Sequence, residues 1–264
     1  GDDEKPIMLC LHGWLDNVAS FYPLLPYLPD TYKIIAIEWP GHGHSDHRGK
    51  DAHYHFIDWV YDLLKLFESQ KWKSVDIVAH SMGGMVASAF AAAFPEKVKS
   101  LTLIDSIGFV TAPENETTSQ LKKGLESRLK NRTSNTKRHF ELEAATNARV
   151  AVSDLSFAHA QLIVERSVVK IEPGCQWRSD PRLRNISPYR LSLLQAQQLI
   201  KDVKCPVQLI HGNKGMKMVS LGLKHFGALF NSLQEFELSG GHHVHMEQPK
   251  ETAALICKFL AINF

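Results

Sequence analysis

At 264 residues, 44% of them hydrophobic, the chain is long enough for one large α/β domain and too apolar to be disordered. Its 30 basic and 28 acidic residues leave a formal charge of +2, which supplies no field to gather nucleic acid. No apolar run approaches a membrane span, no charged-then-apolar leader opens the sequence, and Cys10, Cys175, Cys205 and Cys257 are scattered without a C-x-x-C pair. The expectation is a cytoplasmic protein with reduced thiols, a peroxisome or other organelle being the alternative compartment. Three N-x-S/T sequons, at Asn115, Asn131 and Asn185, are few enough to be accidental.

Residues 7–11 form a short apolar run ending in His12-Gly13-Trp14, and residues 32–37 form another, ending in Pro40-Gly41-His42-Gly43. Both patterns predict buried parallel strands followed by functional loops. Residues 54–70 carry apolar side chains at helical spacing, and 75–79 read as the strand that feeds Ser81. The run after Ser81 places Gly83, Gly84, Ala87, Ser88, Ala91 and Ala92 at helical spacing, a flat stripe that lets a helix press against a sheet. A further strand is predicted over 98–104, ending at Asp105. Alternating strands and helices imply right-handed crossovers and a parallel sheet.

From 106 to 201 the pattern turns to polar helical segments, among them 116–130, 137–150 and 153–171, and this block reads as an inserted helical lid. Strand character resumes at 206–211 and 233–238, and Pro249 opens a terminal amphipathic helix to about residue 260. The domain expectation is therefore an α/β core of residues 1–105 and 202–264 with a lid of residues 106–201. There is no internal repeat and no low-complexity tract.

The hexapeptide Ala79-His80-Ser81-Met82-Gly83-Gly84, set between strand and helix, reads as a nucleophile elbow. A strand turning sharply into a helix strains its central residue and lifts a serine oxygen above the sheet edge. Ala79 stands where G-x-S-x-G has glycine, a methyl-sized departure. The first backbone amide of the following helix, on Met82, would face an oxyanion, with the amide of Trp14 as its partner. The Trp14 ring could equally be a core aromatic.

A serine nucleophile needs a base, and the best candidate lies after the last strand in Gly240-Gly241-His242-His243-Val244-His245. His242 is chosen because it follows the glycine pair directly; His243 and His245 are expected to pack or hydrogen-bond locally. A metal on His242, His243 and His245, or on His42, His44 and His47, lacks a recognisable ligand spacing, so neither a metal nor a cofactor is expected. The orienting acid is less obvious, since His211-Gly212-Asn213-Lys214-Gly215-Met216 after the penultimate strand contains no carboxylate. Asp105 remains, closing the strand beside that of Ser81, unless it only caps the next turn.

Together, the His-Gly-Trp loop, Pro40-Gly41-His42-Gly43-His44-Ser45, residues 79–84, Ile104-Asp105 and Gly241-His242 to Pro249 resemble the α/β-hydrolase fold superfamily. The motifs Leu11-His12-Gly13-Trp14-Leu15-Asp16-Asn17, Trp177-Arg178-Ser179-Asp180-Pro181-Arg182-Leu183, Gly215-Met216-Lys217 and His242-His243-Val244-His245 resemble its serine hydrolase-like, kraken-type branch. That branch tends to lack an acid after the penultimate strand. The resemblance implies Ser81, Asp105 and His242 as nucleophile, acid and base. It also implies two further strands ahead of residue 7, which the six preceding residues do not supply, so a missing amino-terminal piece is expected.

The implied activity is a serine hydrolase of the carboxylesterase or thioesterase class, cleaving a small ester, thioester or amide through an acyl-enzyme. The alternative is a ligand-binding or signalling protein on the same fold, because fold alone does not decide function. The expected partner is a small molecule with an apolar acyl or alcohol part, for which Phe157, Leu162, Ile163, Val168 and Trp177 are pocket or lid-packing candidates. Residues 121–138 hold seven basic residues against Glu126 alone, a segment that could touch an anionic surface.

Overall fold

A computed structural model describes residues 5–133 and 139–262. In chain order it comprises β1 (Ile7–Leu11), β2 (Lys33–Ile37), α1 (Phe56–Gln70), β3 (Val75–His80), α2 (Met82–Ala93) and β4 (Val98–Ile104). Then come α3 (Thr117–Thr133), α4 (Leu142–Val150), α5 (Phe157–Ser167), β5 (Val168–Lys170), β6 (Cys175–Trp177) and α6 (Leu193–Asp202). The chain closes with β7 (Val207–Gly212), α7 (Lys217–Phe226), β8 (Leu233–Leu238), α8 (Val244–Glu247) and α9 (Pro249–Ile262).

Six strands form one sheet in the order β2-β1-β3-β4-β7-β8, and every pairing in it is parallel. Strands covered on both faces need apolar residues at successive positions, and β3 and β7 are buried throughout. The two-residue period divides them between two cores. Leu9, Leu11, Ile77, Ala79 and Leu101 face a core shared with α1, α2 and α6. Met8, Cys10, Val78, Ile104 and Ile210 face the other, closed by Phe21, Leu24 and the Ile256 and Leu260 side of α9. Each such large side chain contributes about 1.5–3 kcal/mol on burial.

Strand order reverses between β1 and β3, so the carboxyl ends of these strands open a crevice, where open α/β sheets hold ligands. Ser81 follows β3 and lies at that point. Helix α2 comes close because Gly83 carries no side chain: a Cβ there would meet the Leu11 carbonyl oxygen at 2.3 Å.

The segment between β4 and β7 differs from the expected run of helices. The helix expected over 153–171 stops at Ser167, because β-branched Val168 and Val169 pair antiparallel with Trp177 and Gln176 in a two-stranded ribbon. Helix α6, inside the range read as lid, lays Ala196 and Ile200 into the main core beside α2. Residues 134–138, part of the basic 121–138 segment, lie outside the described residues. Within the described part, Lys122 faces Glu126 at 3.9 Å and Arg128 Nη2 meets His55 at 3.3 Å.

Candidate active site

The turn from β3 into α2 holds Ser81 at φ 51° and ψ −120°, a conformation that L residues rarely adopt. Its amide donates to the Ile104 carbonyl at 3.1 Å, which pins the elbow to the end of β4. Met82 is the first residue of α2, so its N–H has no carbonyl four residues back within the helix.

His242 arrives from the loop after β8 and stands between two partners. Its Nε2 lies 2.9 Å from Ser81 Oγ and its Nδ1 lies 2.6 Å from Asp105 Oδ2. Nδ1–H donates to the carboxylate, which leaves the Nε2 lone pair to accept the serine hydroxyl. Asp105 sits at φ 43° just past β4, is 1% exposed, and accepts backbone amides from Gly212 at 3.3 Å and Met216 at 3.2 Å. The gap in the stretch after β7 thereby gains a physical reason. A Cβ on Gly215 would lie 2.2 Å from Asp105 Oδ1, so the carboxylate occupies the room that a side chain at 215 would need.

The loop after β1 borders the same serine. A Cβ on Gly13 would sit 3.1 Å from Ser81 Cβ, so this turn passes directly over the elbow. His12 holds the turn through Nδ1, 2.8 Å from the Gly13 carbonyl, while its Nε2 accepts the Trp39 amide at 3.1 Å. The Trp14 ring is half exposed rather than a core aromatic, and its Nε1 donates to the Leu183 carbonyl at 3.2 Å.

Behind His242 lies a charged network that the sequence did not disclose. His243 Nδ1 donates to Asp154 Oδ1 at 2.8 Å and its Nε2 to Asp16 Oδ2 at 3.2 Å, while its backbone amide donates to Asp154 Oδ2 at 3.1 Å. Arg149 takes the other oxygen of Asp16. Burial opposes the charged imidazole, but Asp16 and Asp154 outweigh it and raise His243 to about 9. Burial likewise opposes the Asp16 anion, yet His243 and Arg149 hold it well below the usual carboxylate range. His80, driven down to about 4 chiefly by burial, is neutral and donates Nε2–H to the His242 carbonyl at 2.9 Å. Residues adjacent in sequence thus have opposite settings: His242 faces the serine, and His243 is a buried cation under the loop that carries it.

Donor atoms of Asp16, His80 and His243 lie within 4.8 Å of one another, close enough for a metal ion. Both His243 nitrogens already meet carboxylates and Asp16 already meets a guanidinium, so a cation would have to displace two protons and a salt bridge. Geometry and charge favour the proton-filled network. His245 is fully buried with neither ring nitrogen partnered, and burial pushes it well below its ordinary value. The histidines at 42, 44 and 47 diverge: His42 is buried, the His44 amide donates to Glu38, and His47 Nε2 approaches the Arg178 carbonyl at 2.6 Å. Among the residues proposed for a lid pocket, Ile163 and Trp177 line a cavity, whereas Leu162 and Val168 belong to small cores and Phe157 is exposed.

A sequence profile of the α/β-hydrolase fold matches residues 6–249. A serine hydrolase-like protein of Danio rerio is 31% identical over 97% of this chain and 81% of its own length. The chain belongs to the α/β-hydrolase fold family, on its serine hydrolase-like branch. Human serine hydrolase-like protein 2 is 29% identical over 98% of this chain and 88% of its own. Among solved structures, a hypothetical protein of Pseudomonas aeruginosa superposes with a TM-score of 0.91 at 33% identity, covering 99% of this chain and 93% of that one. The thioesterase domain of the curacin biosynthetic pathway shares the fold, with a TM-score of 0.84 at 24% identity over 98% of this chain and 93% of its own. These α/β-hydrolase relatives point to hydrolytic activity. Among the described residues no helix is long and apolar enough to cross a membrane.

Proposed function

We propose that the protein is a serine hydrolase that cleaves a small ester, thioester or amide through an acyl-enzyme on Ser81. The observation that carries this reading is the unbroken hydrogen-bonded line from Ser81 Oγ through His242 to Asp105, with gaps of 2.9 and 2.6 Å. Ser81 Oγ attacks the carbonyl carbon while His242 Nε2 takes its proton. The imidazolium so formed faces Asp105, whose charge stabilises it and keeps the ring in place. Negative charge gathering on the carbonyl oxygen meets the amides of Met82 and Trp14, each such donor contributing about 10²–10³ in rate. His242 passes its proton to the departing alcohol, thiol or amine. Water then attacks the acyl-enzyme, gives a proton to Nε2, and the serine leaves with that proton as the acid is released.

A fluorophosphonate probe tests this directly. Wild type should gain one phosphonyl adduct on Ser81 by intact mass, and Ser81→Ala none. Absence of an adduct on wild type, with retained ligand binding, would favour the alternative of a binding or signalling protein on this fold.

A further inference from the structure

Between the turn after β1 and the segment running from α4 to residue 184 lies a cavity of about 290 Å³, lined by Leu15, Ile163 and Trp177 together with Arg149 and Arg184. Ser81 does not line it, but Leu15 and Asp16 do, and they continue the turn whose Gly13 lies against both Asp16 and Ser81. The Trp14 ring is bonded to Leu183, the residue before Arg184.

Three other arginines of this segment have their charge answered. Arg149 meets Asp16, Arg166 meets Glu38 at 2.6 Å, and Arg182 meets Asp180 at 2.7 Å. The side chain of Arg184 has no hydrogen bond or ion pair among the described residues, and this exposed residue lines the cavity. Partial burial, and then the like charge of Arg149, lower its affinity for the proton. Arg149 adds a buried Nε with no partner. Asp16 also borders the cavity, but its oxygens are taken by Arg149 and His243, so it leaves the Arg184 charge uncompensated. His42, on the same wall, has a buried and unpartnered Nε2, and burial pushes it down to about 3. With Nδ1 turned to the Pro40 carbonyl at 3.3 Å, the neutral ring offers a lone pair to a ligand hydroxyl or N–H. Arg184 is exposed at the cavity, so water reaches its charge, whereas the buried Arg149 Nε and His42 Nε2 stay unmet; a guanidinium fork without a carboxylate partner matches the paired oxygens of carboxylate or phosphate.

We propose that this cavity receives an anionic substituent of the substrate, a carboxylate or phosphate held by Arg184 and Arg149. The preferred substrate is then an ester or thioester whose acyl or alcohol part carries that charge. The inference rests on the Ser81 reading for where the scissile bond lies; binding of the anion does not depend on it.

The test has two arms. In Ser81→Ala protein, calorimetry with glutarate, butyl phosphate and neutral dimethyl glutarate should show one anion binding at least about tenfold more tightly than the diester. Adding Arg184→Gln should remove the difference. Whichever anion wins identifies the substituent. In wild type, kcat/KM for p-nitrophenyl hemiglutarate or a p-nitrophenyl ester bearing a terminal phosphate should exceed that of the methyl-capped ester about tenfold, and Arg184→Gln should bring the ratio to about one. Equal binding of anions and diester, or a preference untouched by Arg184→Gln, overturns the inference even where neutral esters are turned over. Arg184-dependent anion binding with no turnover of any ester would leave it standing and remove the hydrolase reading instead.

Discussion

Beneath the site, the sheet is held by apolar layers in which Leu9, Ile77, Leu101 and Leu209 are fully buried. Above it, residues 149–184 meet the same rim through charge: Arg149 on Asp16, Asp154 on His243, Arg166 on Glu38, and Arg182 on Asp180 and on four backbone carbonyls of residues 48–52. The apolar layers fix where the backbone goes, tolerate exchange of similar side chains, and place Ser81 through a strained turn. The charged layer is directional, and it fixes how the His242 loop sits on that frame. Position and orientation in this site therefore answer to different forces, and each can be broken separately.

The largest expected effect comes from the charged side. His243→Ala removes a buried cation from between two carboxylates and should cost about 3–5 kcal/mol in urea denaturation, since one side of a buried ion pair is left uncompensated. A loss below about 1 kcal/mol, the size of a surface pair, would show that the network is decorative. Its pH signature has a definite sign. His243 is raised from 6.5 to about 9 on folding, so its contribution is complete below pH 6.5 and is lost as pH rises through about 9. The wild-type urea midpoint should therefore fall over that interval, and His243→Gln should fall less.

A smaller stability effect is expected where the two sides meet. Gly215→Ala puts a methyl on the Asp105 carboxylate, and overpacking of this kind costs about 1–3 kcal/mol. Ester turnover should fall more steeply, by about a hundredfold, because a displacement near 1 Å at the acid misplaces the His242 ring. Turnover unchanged in Gly215→Ala would separate Asp105 from the reaction.

The same division explains what the sequence disclosed. The strands at 7–11 and 98–104 coincide with β1 and β4, because a strand covered on both faces announces itself as a local apolar run, and 233–238 coincides with β8, a partly exposed edge strand. Ser81, Asp105 and His242 were legible since each directly follows such a run or a glycine pair, and the structure brings their side chains into contact. The charged layer was not legible. Asp154 is 89 residues from His243 and Asp16 is 227, so no local spacing links them, and His243 read as a residue of local packing. Helix α7 was also passed over, although Val219, Gly222 and Phe226 keep a helical period on its buried face. The empty position at Gly215 looked like a departure from the usual arrangement; its meaning required seeing which carboxylate fills that space.

The most direct measurement compares Asp105→Asn with wild type for turnover of p-nitrophenyl butyrate at pH 7.5. Asparagine keeps the shape but presents an amide to Nδ1, favouring the wrong tautomer of His242, so kcat should drop by about 10⁴ with the fold intact. Turnover within a few-fold of wild type would contradict the proposed proton path from Ser81 through His242 to Asp105.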